Sequence, residues 1–145
     1  SRMDGYHAQM ASGRVGELGF SADLVLPDRP SEYFARNVWI GASFPSPSEA
    51  DAMKKVGIER MMWGSDYPHN ESTFPYNRDH LRRSFSGWDE ADLRKVFAEN
   101  AAEVYRIDLD ALAPLAERIG PSVDEVATPL DEVPKDAFSP AFTRP

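Results

Sequence analysis

The sequence predicts an α/β fold with a pair of parallel strands, and two observations carry that expectation. Two short apolar runs read as buried strands: "VWIGASF" (38–44), with its β-branched and aromatic residues, and "IERMMWGS" (58–65). Between them, "SPSE" (46–49) opens a helix with strong signals. Ser46 stands at the cap, Pro47 at the first helical position, and Glu49 completes a capping box. Strand, helix and strand within about thirty residues make a βαβ unit, so the strands are expected to lie parallel with a right-handed crossover.

The other elements follow in order. Met3, Tyr6 and Met10 recur at helical spacing, which predicts a helix over residues 2–11 despite Gly5. Residues 12–30 read as loop, punctuated by Gly13, Gly16, Gly19, Pro27 and Pro30. Ser31 is expected to cap a short helix, "EYFARN". The central helix, "EADAMKKV", should stop at Gly57. Downstream, Asn77 is expected to cap a helix through Phe85. Asp89 is expected to cap another, with Leu93, Val96, Phe97, Ala101 and Val104 as one apolar stripe. A further helix is expected to start at Asp110, with Pro114 in its first turn and a stop at Gly120-Pro121. "SVDE" (122–125) repeats the capping-box pattern. From Pro129 the chain reads as a tail, either laid on the core or disordered.

Composition bounds the function. The 145 residues suffice for a real core, and 41% hydrophobic with 28% charged residues is a globular balance. A net charge of −8 argues against nucleic acid and anionic membrane surfaces as partners. No cysteine occurs, so there is no disulfide framework and no thiolate metal site; this fits a cytoplasmic setting. No apolar run has the length of a membrane span.

One stretch demands a chemical explanation. The second strand runs straight into "GSDYPH", so a buried run ends on a carboxylate, Asp66, with His69 three residues on. In parallel α/β folds, ligands sit beyond the carboxyl ends of the strands. A carboxylate there can bind a metal, act as a general base or orient an imidazole; equally, Asp66 can be a turn residue and His69 a surface histidine. His7 reads as packing or surface, and His80, within "NRDHLRR", as solvated. Neither H-x-H nor H-E-x-x-H occurs, nor a nucleophile elbow or phosphate-binding glycine loop. Trp39 and Trp63 suit core packing. Phe74 and Tyr76 are loop aromatics that could line a pocket, and Arg78, Arg82 and Arg83 form either a carboxylate grip or a solvated face.

Taken together, "RMMWGSDYPHNESTFPYNRDHLR" and the later "FAENAAEVYRID" resemble the C-terminal end of the amidohydrolase-2 family, metal-dependent TIM-barrel hydrolases and decarboxylases related to aminocarboxymuconate semialdehyde decarboxylase. "LPDRPSEYFARNVWIGASF" fits the approach to the seventh barrel strand, and "ALAPLAERIGPSVDEVATPLDEVP" a C-terminal extension. The resemblance implies the last two strands of a (β/α)8 barrel in residues 1–107, a helical extension over 108–128 and an extended or disordered tail over 129–145. It implies Asp66 as a catalytic and metal-site residue that also moves a proton. His69, Tyr67, Phe74 and Arg78 are the corresponding substrate-side residues, with His69 outside the metal shell.

The implied cofactor is a divalent metal, zinc or manganese, in a complete barrel. The other histidine ligands of the family are absent, so the chain by itself is expected to hold no metal and to be inactive. The implied partners are a small carboxylated or cyclic carbonyl substrate and either the N-terminal part of a barrel or a second copy. A barrel takes about 250 residues, so the chain reads as part of a longer protein. The competing expectation is a non-catalytic remnant that serves as an interaction or dimerisation module.

Overall fold

The computed structural model describes residues 1–13 and 25–145. The expectation of loop at Gly16 and Gly19 lies outside those residues. The chain divides into two compact units, Ser1–Val38 and Trp39–Pro145.

The first unit pairs two helices, α1 (Arg2–Ala11) and α2 (Pro30–Asn37). Asp4 joins them by accepting the Ser31 amide at 2.9 Å, and His7 Nε2 lies 2.7 Å from the Leu26 carbonyl. Helix α2 starts two residues earlier than the Ser31 cap predicts, with Arg29 at the cap. Pro30 takes the first helical position, where its fixed φ costs nothing, and Glu32 reaches back to the Arg29 amide at 2.7 Å.

In the second unit, β1 (Ile40–Ser43), α3 (Pro47–Val56) and β2 (Met61–Gly64) form the expected βαβ unit. The strands are parallel, with Ile40 opposite Met61 and Ser43 opposite Gly64. Helix α3 carries the predicted capping box and ends at Gly57, whose φ of +110° is open only to glycine without strain. Both strands are shorter than expected, and the sheet is buried on one side only. Ile40, Ala42, Met61 and Trp63 turn towards the helices, while Gly41 and Ser43 are exposed. Among the described residues the chain is therefore mixed α/β, mostly helical, with two short parallel strands in an open sheet.

Helix α4 (Asn77–Phe85) lies against α3 and packs Leu81 and Phe85 into the core. Next comes one continuous helical rod made of α5 (Glu90–Arg94), a π turn (Lys95–Glu99) and α6 (Asn100–Tyr105). The predicted stripe is present: Leu93 and Val96 are buried, and Phe97 packs edge-on to Trp63 and Phe85. The extra residue of the π turn puts Asn100 under the sheet. There its amide donates to the carbonyls of Ile58 and Met61, both at 2.7 Å, and fixes the chain as it enters β2.

The C-terminal segment holds α7 (Leu109–Ile119), α8 (Val123–Ala127) and a 3-10 turn, Pro140–Phe142. Helix α7 begins earlier than expected because Asp108, not Asp110, takes the cap and accepts the Ala111 amide at 3.0 Å. Pro114 is thereby placed inside the helix and not in its first turn. Residues 139–142 are anchored on the core. Phe142 is buried and its ring stands edge-on to His80.

The three arginines of α4 tie this segment down through its backbone carbonyls and, for Arg78, through Glu125. Arg78 donates to Glu125 and to the carbonyls of Ile119 and Gly120. Arg82 donates to the carbonyls of Thr128 and Pro129, and Arg83 to those of Ala141 and Arg144. No helix among the described residues is long and apolar enough to cross a membrane.

Candidate functional site

The site grows from the end of β2. After Gly64 and Ser65 the chain reverses at Asp66, which adopts a left-handed φ of +65°, a region that aspartate tolerates better than most residues. Two turns follow. The His69 amide donates to the Asp66 carbonyl at 2.9 Å, and the Ser72 amide to the His69 carbonyl at 3.1 Å. The Thr73 amide then returns to the Ser65 carbonyl at 3.0 Å and closes the loop. Short-range bonds thus satisfy the loop backbone and hold the Asp66 side chain near the carboxyl ends of both strands.

Its two oxygens have different neighbours. Asp66 Oδ2 lies 3.0 Å from His69 Nδ1, and Oδ1 receives the Ser43 hydroxyl from β1 at 3.5 Å. Ser43 reaches it because the parallel register sets Ser43 beside Gly64. The hydrogen bond to Asp66, and then its charge, raise the His69 pKa above the usual histidine value. The Asp66 side chain is 22% exposed and that of His69 67%, so the pair is open to a ligand. Glu71 completes the group: one ligand atom from each of Asp66, His69 and Glu71 lies within 4.8 Å of the others.

The remaining expected site residues fall in two places. Tyr67 and Phe74 meet edge-on, with centroids 5.0 Å apart, as an exposed aromatic pair on the same loop. Arg78 is apart from them, engaged with the C-terminal segment. Asn70, Thr73, Phe74, Tyr76, Asp136 and Phe138 line a cavity of about 180 Å³ between the loop and the tail. That is below the roughly 300 Å³ at which ligand pockets begin, so the described residues do not by themselves enclose a substrate there.

His80 overturns its expectation. It is fully buried rather than solvated. Nε2 lies 2.8 Å from the Pro45 carbonyl, and Nδ1 accepts the Trp63 indole N–H at 3.3 Å, which together fix a neutral ring protonated on Nε2. Burial pushes its pKa down to about 4. It is therefore a structural residue beneath the strand, with no donor left for a ligand.

Sequence reasoning missed Glu71 and Ser43. Glu71 had a legible signal, since D-x-x-H-x-E brings residues 66, 69 and 71 onto one short loop. Ser43 had none, because its relation to Asp66 exists only once the strands pair. One imidazole and two carboxylates are a donor set suited to zinc or manganese, and three protein ligands are the usual complement of a catalytic zinc.

A family model described as amidohydrolase matches residues 24–107, more than half of the chain. No curated protein and no solved structure matches the sequence.

Proposed function

The chain belongs to the amidohydrolase family, and from that premise we propose that it supplies the closing strands of an amidohydrolase-type (β/α)8 barrel, which performs metal-dependent hydrolysis or non-oxidative decarboxylation of a small carboxylated or cyclic carbonyl compound. One observation carries this reading. Asp66 sits in a left-handed turn at the carboxyl end of a parallel strand, with one oxygen towards the neighbouring strand and the other towards an imidazole. That is the end of an α/β sheet where ligands bind.

A divalent ion held with Asp66 supplies Lewis acidity, polarising a carbonyl or lowering the pKa of a bound water. The chain's own residues do the rest. Asp66 accepts and returns a proton at its carboxylate oxygens. In hydrolysis it takes the proton of the attacking water and passes it to the leaving group. In decarboxylation it delivers a proton to the carbon that carbon dioxide leaves. Tyr67 and Phe74 offer an aromatic wall for the flat part of a substrate.

The partner in this reading is the rest of a barrel or a second copy of the chain. The open sheet supports that, as does α7, where Leu109, Leu112, Leu115 and Ile119 are all exposed on one amphipathic helix. The test is metal analysis of the longest natural form of the protein, with activity assays on small aromatic and enol carboxylates and cyclic amides. Turnover that needs zinc or manganese is the expected result. Metal-independent turnover contradicts the metal chemistry, and an inert full-length protein points instead to the non-catalytic interaction module.

A further inference from the structure

We propose that the cavity between residues 70–76 and the tail is a binding site for a small neutral polyol. The site uses neither Asp66 nor His69 and goes beyond the reading above. Three observations support it.

The first is an unspent hydroxyl. Ser72 lines the cavity and is only 8% exposed, yet among the described residues its hydroxyl has no hydrogen-bond partner. A polar group withdrawn from water without a partner costs about 1–3 kcal/mol, so the cavity is where a partner belongs. The second is the pattern of donors and acceptors. Thr73 and Ser139 line the same cavity and are each 1% exposed. The Thr73 hydroxyl donates to Asn77 Oδ1 at 2.7 Å, which leaves its lone pairs to accept. The Ser139 hydroxyl accepts the Ala141 amide at 3.4 Å, which leaves its proton to donate. A ligand hydroxyl answers both needs, since it donates and accepts. An anion can only accept; no lysine or arginine lines the cavity, and the Asp136 carboxylate repels it.

The third is size and shape. The cavity holds about 180 Å³. At about 30 Å³ for each water, that is room for roughly six waters or a molecule of similar size. The exposed rings of Phe74 and Phe138 also line it, and they give a carbon skeleton an apolar wall beside the hydroxyls. Both sides are already in place. The Thr73 amide is held by the Ser65 carbonyl, and Phe142 anchors the tail in the core, so little ordering entropy is lost on binding.

Two-dimensional amide NMR of the chain, titrated with glycerol and separately with acetate, tests this. Glycerol should move the resonances of Ser72, Thr73 and Ser139 along one saturating curve, and acetate should leave them in place. Ser72→Ala, which removes the unspent hydroxyl, should weaken glycerol binding at least fivefold. Phe138→Ala, which alters an exposed residue and leaves the resonances of Trp63 and His80 where they were, should weaken it at least twofold. The proposal is overturned if glycerol produces no saturable shift, if acetate saturates the same resonances, or if either variant falls short of its loss. A failed titration leaves the amidohydrolase reading intact, and a full-length protein without turnover leaves this site intact.

Discussion

The loop after β2 and the helix beneath it each present a histidine, eleven residues apart in the chain, in opposite surroundings. His69 stands in water beside a carboxylate, and its pKa is raised; His80 is sealed between Trp63, Phe85 and Phe142, and its pKa falls to about 4. In the loop, backbone groups satisfy one another and the charged side chains of Asp66 and His69 pair at the surface. Under the strand, every polar atom of the imidazole is spent on the fold. One region favours the charged imidazole and the other excludes it, and β2 joins them: Trp63 packs on His80, and Asp66 follows the strand's end. The difference teaches that the chemistry of a histidine here is set by which side of one short strand it meets.

The strongest way to break the comparison is to exchange the consequences of substitution. In the assembled enzyme, Asp66→Asn should cut turnover by on the order of a hundredfold or more with little change in thermal stability, because it removes a negative charge and a proton acceptor. Asparagine also tolerates the left-handed backbone at that position. His80→Ala should do the opposite to the fold. It leaves a cavity and strips partners from the Trp63 indole and the Pro45 carbonyl, costing about 3 kcal/mol in chemical denaturation.

Acid sharpens the same contrast. The folded pKa of His80 lies below its unfolded value near 6.5, so the unfolded chain binds more protons between those limits. Its contribution is complete above pH 6.5 and is lost as pH falls towards 4, a decline of about 3 kcal/mol. Denaturation midpoints across that window measure it, and histidine NMR titration should place His69 above the ordinary value and His80 below it.

Smaller effects map how the strand is held. Asn100→Ala should cost about 2 kcal/mol, because the Met61 carbonyl loses its side-chain donor and the Ile58 carbonyl keeps only the Met61 amide. Arg78→Ala breaks an exposed pair with Glu125 and should cost about 1 kcal/mol or less, with hydrogen exchange quickening in α8 before the core. A rise in KM in that variant, with stability unchanged, would place Arg78 on the substrate side.

Local chemistry made much of this legible in the sequence. The Ser46–Glu49 capping box, the stop at Gly57 and the stripe from Leu93 to Phe97 each declare themselves within one or two helical turns. Asp66 was conspicuous because a carboxylate ended an apolar run. What stayed hidden depends on distant partners. "NRDHLRR" reads as a wet, charged helix, yet His80 is buried by Trp63 and the tail, and the arginines beside it spend their donors on backbone carbonyls up to 61 residues away. Backbone acceptors carry no sequence signature, so an arginine that serves them looks the same as one in solvent. Helix α7 shows the limit at short range: the expected start at Asp110 gave way to Asp108, two residues earlier, whose side chain accepts the Ala111 amide.

The central claim is that β2 delivers Asp66 to a divalent ion in an amidohydrolase reaction, and its most direct test is metal-restored turnover. The longest natural form of the protein is stripped with a chelator, assayed on small carboxylated and cyclic carbonyl compounds, and then reloaded with zinc or manganese. The account predicts that stripping abolishes turnover, that reloading restores it, and that Asp66→Asn stays inactive after the same reloading. Turnover that survives stripping, or an Asp66→Asn variant that recovers to the parental rate, would contradict it.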